Sequence, residues 1–228
     1  MTTATTTTAP PTASSEARPR HYRLGQEFLA ELGDVPVERI IFDPPPGTVT
    51  EAQFIEFNES KRFGLAELVN GTLIQKAMGQ FESAVGFVLG RILGNWQEEH
   101  MPGVLTGEQT MLRMRAGNIR MPDIAFYPKS QFPDGRFPRE KVGAYPALLA
   151  VEILSESNTP AEIDMKLREY FGSGTQLVWV VDPVSETVRI YDNPDKPGAF
   201  RQIENTDTLD GGEVLPNFSI PVAKIFNI

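Results

Sequence analysis

The run "ALLAVEILS", residues 147–155, is apolar almost throughout, as expected of a strand buried on both faces, and only Glu152 interrupts it. Upstream, Phe81, Val85, Val88, Leu89, Ile92, Leu93 and Trp96 recur at helical spacing and predict a long core-facing helix reaching about Glu99. Downstream, Ile163, Leu167, Tyr170 and Phe171 share one face of another helix. Thr159-Pro160 is its start signal, and Gly172 with Gly174 its stop.

Shorter patterns fill the intervals. "LAELVNGTLIQKAM" reads as two strand-like runs around Asn70-Gly71, a strong hairpin signal. "GVLTGEQTMLRMRAGNIRMPDIAFYPK" reads as strands broken at Ala116-Gly117-Asn118, with Asp123 inside the last of them, "MPDIAFY". "LVWVVDP" and "TVRIYD" predict an antiparallel pair that turns between Pro183 and Glu186, with Asp182 as a turn residue. Thr50 followed three residues later by Gln53 is a capping box that opens a helix from Glu51 to Glu59. This order of elements predicts a mixed α/β domain with a central sheet, and there is no internal repeat.

The threonine-, alanine- and proline-rich start "MTTATTTTAPPTASSEARPR" lacks the apolar residues that would offset the entropy of ordering it, so residues 1–20 are expected to be a disordered tail. Residues 21–60 are expected to form an N-terminal arm with a short helix, packed on the domain or on a neighbouring subunit, and residues 61–228 the main domain. The chain has neither a membrane-spanning apolar stretch nor the basic-then-apolar order of a secretory signal, so a soluble, cytoplasmic protein is expected.

Composition narrows the chemistry. The 228 residues are 40% hydrophobic, enough for one real core, and contain no cysteine and only two histidines, His21 and His100. Thiolate nucleophiles, cysteine-bound metals and imidazole-rich sites are therefore excluded or poorly supplied. What remains is carboxylate, lysine and hydroxyl chemistry, which suits hard cations such as magnesium. A formal charge of −9 argues against nonspecific coating of nucleic acid. It still leaves room for a local basic groove, because Arg113, Arg115 and Arg120 precede Asp123, and Arg136 and Arg139 follow it.

Glu152 is the residue hardest to explain structurally, since charged side chains are almost never fully buried unless paired. If its strand neighbours the one carrying Asp123, both carboxylates meet at one place, and a divalent cation would satisfy them together. Asp123 after Pro122 also fits an ordinary turn or strand start. Lys166 flanks the buried stripe of its helix and can reach back toward the sheet, although an ion pair with Glu162 four residues earlier is the simpler reading. Glu67 and Glu82 are further candidate carboxylates, each also compatible with a solvated position.

The segments "ELVNGTLIQKAMG", "RMPDIAFYP", "LAVEILSESNTPAEIDMKLREYF" and "LVWVVDPVSETVRIY", in this order and spacing, resemble the Uma-two family of endonucleases in the PD-(D/E)XK, restriction-endonuclease-like superfamily. The resemblance spans roughly residues 36–226 and includes "TLDGGEVLPNFSIPVAKIF" near the end. It implies a restriction-endonuclease-like mixed central β-sheet flanked by α-helices over residues 61–228, a magnesium- or manganese-dependent endonuclease acting on DNA, and a possible homodimeric partner. It makes Asp123 the aspartate of the PD motif and Glu152 the second acid, both as metal ligands, with Glu67 an auxiliary carboxylate. The superfamily lysine two residues after that acid is replaced by Leu154, so the resemblance passes that role to Lys166. Glu82 stands where many relatives have histidine, so its role stays open. Two other readings stay open as well: a catalytically degenerate interaction module on the same scaffold, and a hydrolase of another phosphoester.

Overall fold

Local chemistry starts and stops the elements as the sequence suggests. Asn70 and Gly71 take φ values of 50° and 71°, the positive pair that a two-residue hairpin turn requires. Gly71 also lies so close to Gly47 that a Cβ there would meet backbone at 2.8 Å. At Thr50 the hydroxyl accepts from the Gln53 N–H at 3.3 Å, while the Gln53 side chain accepts from the Thr50 N–H at 3.0 Å, closing the capping box. Thr159 likewise accepts from the Glu162 N–H at 3.0 Å. Gly174, at φ 114°, ends the same helix, and Gly172 lies within its last turn.

The computed structural model describes residues 24–60, 64–77 and 79–228; the expected disordered tail, residues 1–20, lies outside these. In chain order the elements are α1 (Gly25–Ala30), β1 (Ile40–Ile41), α2 (Glu51–Ser60), β2 (Ala66–Val69), β3 (Thr72–Gln75), α3 (Gln80–His100), β4 (Gly103–Gly107), β5 (Met111–Arg113), β6 (Ile119–Arg120), β7 (Ile124–Pro128) and β8 (Val142–Gly143). They continue with β9 (Leu149–Ile153), α4 (Pro160–Ser173), β10 (Leu177–Asp182), β11 (Thr187–Tyr191), β12 (Arg201–Ile203), β13 (Thr208–Gly211), β14 (Leu215–Pro221) and α5 (Ala223–Phe226). No helix of the described residues is long and apolar enough to cross a membrane.

The expected central sheet is two six-stranded sheets. One has the order β12-β11-β10-β9-β7-β4, the other β1-β3-β2-β6-β5-β8, and β13 pairs with β14 apart from both. In the first sheet β9 and β10 run parallel, whereas β7 pairs antiparallel with β9 in a register that sets Ile124 opposite Val151. Alternation sends Leu149, Val151 and Ile153 into the core shared with α3. Ala150, Val178 and Val180 face the opposite way, into the core shared with α4. Helix α3 buries Val85, Leu89, Leu93 and Trp96 as its spacing predicts, but Phe81 at its start is 49% exposed and is not part of the core.

The second sheet is tied to the N-terminal segment by main-chain and side-chain bonds. β1 pairs with β3, and Asn58 of α2 is buried with its amide bridging to β2: it donates to the Ala66 carbonyl at 3.1 Å and accepts from the Ala66 N–H at 2.9 Å. Gly33, at φ 80°, packs against α4 so closely that a Cβ would lie 2.6 Å from the Glu162 backbone. Removing the Asn58 amide strands two buried backbone groups, so Asn58→Ala should lower stability by about 1–3 kcal/mol in urea unfolding. Arg201→Ala, which breaks an exposed pair with Asp210, should cost about 1 kcal/mol or less. Equal costs would contradict this role for Asn58.

Candidate active site

Two strand ends and one helix face meet where β7 and β9 pair. Asp123 lies one residue before β7, not within it. Its N–H donates to the Val151 carbonyl at 2.9 Å, and its carboxylate accepts from the Ile153 N–H at 2.6 Å, so it is hooked over β9 beside Glu152. Its side chain is 18% exposed and forms one end of a cavity of about 560 Å³ between α3 and β4. Glu82 lines the same cavity from the first turn of α3.

Behind Asp123 is a buried ionic cluster. One Glu152 carboxylate oxygen accepts from the Lys166 ammonium at 2.8 Å, the other from the Tyr170 hydroxyl at 2.5 Å. Lys166 and Tyr170 are one turn apart on α4, so a single helix face supplies both donors. The Lys166 ammonium also lies 3.2 Å from Glu67 of β2, which joins the two sheets through one cation. Glu67 accepts in addition from the Met121 N–H at 2.9 Å and from Arg120 at 3.0 Å, and Arg120 continues to Glu169 of α4. The sequence-based candidates Glu67, Glu152 and Lys166 are thus in direct contact.

Three side chains of this site were not candidates in the sequence. The Lys76 ammonium, just past β3, is 2.8 Å from Asp123 in an ion pair that makes no hydrogen bond. Nothing in "IQKAMG" distinguishes it from a solvated lysine. Tyr170 reads as part of an apolar stripe, and only its position one turn from Lys166 hints at a polar role. Glu169 is hidden among ordinary helix charges.

Two expectations are corrected. Arg120 is buried between Glu67 and Glu169, and Arg113 is paired with Glu51, so neither contributes to a basic groove, although Arg115, Arg136 and Arg139 are exposed. Glu162 does not bond Lys166. Its carboxylate takes both ends of the Arg39 guanidinium, at 2.8 Å each.

Burial and charge compete throughout the cluster. Burial pushes the Glu152 carboxyl up, and Asp123 and Glu67 add to it, so its pKa stays raised even beside Lys166. Burial also raises Glu67, but Lys166, Arg120 and the Met121 N–H prevail and hold its carboxyl down to about 2. Burial pulls the Lys166 ammonium down, yet Glu152 and Glu67 prevail and hold it above the ordinary lysine value. Tyr170 is pushed up by burial and by Glu152, so it remains a neutral donor.

The donor set suits a hard divalent cation. Asp123 and Glu152 are the carboxylates that could supply oxygen ligands; Glu152 is raised first by burial and then by the neighbouring Asp123 and Glu67. No group of three or more metal-binding side chains converges among the described residues.

A carboxyl held low stabilises the fold above its unfolded value near 4.5 and loses that contribution as pH falls through about 2. Glu152 has the opposite sign, because its ionisation above about 4.5 opposes folding. Glu67→Gln should therefore cost about 3–5 kcal/mol at pH 7, the usual cost of breaking a buried pair. In urea unfolding that cost should shrink as pH is lowered from 4.5 toward 2. An undiminished cost at low pH would contradict this electrostatic role.

Among solved structures, the fold is similar to a putative nuclease belonging to DUF820 from Anabaena variabilis, with a TM-score of 0.61 at 19% identity over 71% of this chain and 89% of that one. The likeness establishes the restriction-endonuclease-like α/β fold. No curated protein matches the chain. The family Uma2, described as "Putative restriction endonuclease", matches residues 52–223. With most of its length inside that match, the chain belongs to the Uma2 family.

Proposed function

We propose that this protein is a magnesium- or manganese-dependent endonuclease that hydrolyses phosphodiester bonds of DNA, with Asp123 and Glu152 as metal ligands. The observation that carries this reading is that Asp123 lines a cavity and is hooked onto β9 beside Glu152, whose carboxylate is held by Lys166. A bound divalent ion supplies Lewis-acid polarisation of a phosphoryl oxygen and an acidified water. Asp123, hooked onto the Ile153 N–H, keeps one oxygen fixed and turns the other toward Lys76. Lys166 holds the Glu152 carboxylate in place and keeps positive charge at the site, where charge develops on the phosphoryl oxygens. Glu67 fixes Lys166 from the second sheet, and Tyr170 orients Glu152 from α4. DNA as the nucleic acid rests on the family, and the exposed Arg115, Arg136 and Arg139 are its phosphate-binding candidates.

One observation favours the other reading, an interaction module that no longer cuts: both oxygens of Glu152 are already engaged by Lys166 and Tyr170. Plasmid nicking separates the two. Supercoiled DNA with magnesium or manganese should be nicked by the native chain and not by Asp123→Asn, a partly exposed position; because this change also unpairs the buried Lys76 ammonium, its melting is compared with that of the native chain. Glu152→Gln should be equally inactive, whereas Lys166→Met leaves Glu152 and Glu67 buried without their cation and should lose stability together with nicking, so the assignment rests on the two carboxylate variants. Nicking that is metal-independent, or equal in Asp123→Asn, would point to a contaminant and to the non-catalytic reading.

A further inference from the structure

The cavity that ends at Asp123 is not built to follow a phosphate backbone. Among the described residues its lining carries Glu82 and Glu108 beside Arg91, with Asp123 paired to Lys76, so it offers no excess of positive charge to a run of phosphates. Its floor is apolar, formed by Ile124 and Ile153 below a stretch of α3 that carries glycine at 86 and 90. Gly86 lets α3 lie close over that floor, since a Cβ there would stand 3.2 Å from the Ile153 side chain.

At the edge stands Phe87, 77% exposed, with Arg91 one helical turn further on the same face. Most of that ring is in water, on a helix whose other large apolar residues are buried or half-buried except Phe81. The volume, about 560 Å³, falls in the range of small-molecule sites, roughly 300–1,000 Å³. Arg91 is the cation of the lining able to meet one phosphate oxygen beside the ring, whereas the Lys76 ammonium is buried and already paired with Asp123 at 2.8 Å.

A neutral, planar group that covers an apolar floor, stacks on an exposed ring and brings a single phosphate with it is a nucleotide whose base is unpaired. We infer that the cavity receives an unpaired nucleobase stacked on Phe87, so that the preferred substrate carries bulged, flipped or single-stranded nucleotides at the cleavage position. This rests on the nuclease reading above and adds to it the structural class of substrate. Bases of an uninterrupted duplex are stacked and paired, and reach such a cavity only at the cost of flipping.

The test uses the full chain and an oligonucleotide duplex with 2-aminopurine either in a bulge or paired in the matched sequence, read by quenching of its fluorescence on stacking. The bulged probe should be quenched and bound more tightly than the paired one. Phe87→Ala should weaken its binding by roughly tenfold or more, with Phe87→Trp retaining it. Because Phe87 is exposed, both variants should melt like the native chain. Equal binding of the two probes, or a preference that survives Phe87→Ala, would overturn the inference while plasmid nicking leaves the nuclease reading standing. Sedimentation that shows a dimer dissociated by Phe87→Asp would also overturn it, since a second copy would then cover the ring. Absence of both probe binding and nicking would bring down the two readings together.

Discussion

A lysine ammonium buried between two glutamates is the interaction on which the rest of this structure depends. Lys166 comes from α4, Glu152 from the first sheet and Glu67 from the second, so one charge joins three layers. Sealing such a group from water is tolerable only because every neighbour is arranged for it: Tyr170 satisfies the second oxygen of Glu152, and Arg120 and the Met121 N–H satisfy Glu67. Arg120 in turn needs Glu169, and Arg39 takes Glu162, which leaves Lys166 to Glu152 and Glu67. Replacing buried ion pairs by an apolar core of the same volume is often neutral or stabilising, so a network of this kind is weak evidence for stability.

Placement gives it a function. The cluster ends at Asp123, whose backbone and carboxylate are bonded to β9, and from there the site opens into the cavity beside α3. Rigid strands therefore hold the two acids, and the buried ions behind them fix the orientation of Glu152. On the proposed nuclease reading, a site so constrained is prepared for charge before any substrate arrives. The cavity itself has a different character, with an apolar floor and an acidic rim, and that contrast distinguishes the contact made by a base from the contact made by a phosphate.

Much of this could be read in the sequence wherever local chemistry decides. Asn70-Gly71, Thr50 with Gln53, and Thr159-Pro160 each formed the turn or cap that their side chains dictate. Glu152 stood out because an acid inside "AVEIL" violates the burial rule, and its neighbours duly prove ionic. What escaped depends on long-range pairing. Arg120 and Arg113 look like groove residues in a linear reading, yet their partners Glu67, Glu169 and Glu51 lie far away along the chain. Lys76 and Tyr170 carry no local mark, since only the fold brings one to Asp123 and the other to Glu152. Phe81 fits the helical repeat of α3 but sits at the helix start, beyond the reach of the core. The division into two sheets was likewise not legible, because strand order is set by pairings that periodicity does not encode.

The most direct measurement is a manganese titration of the full chain followed by electron paramagnetic resonance, beside Asp123→Asn. If Asp123 and Glu152 form the metal site, the native chain should remove manganese from the free signal with saturation at one ion per chain, and the variant should not. Manganese left free by the native chain, or bound equally by both proteins, would contradict a metal-dependent hydrolytic site at these two carboxylates.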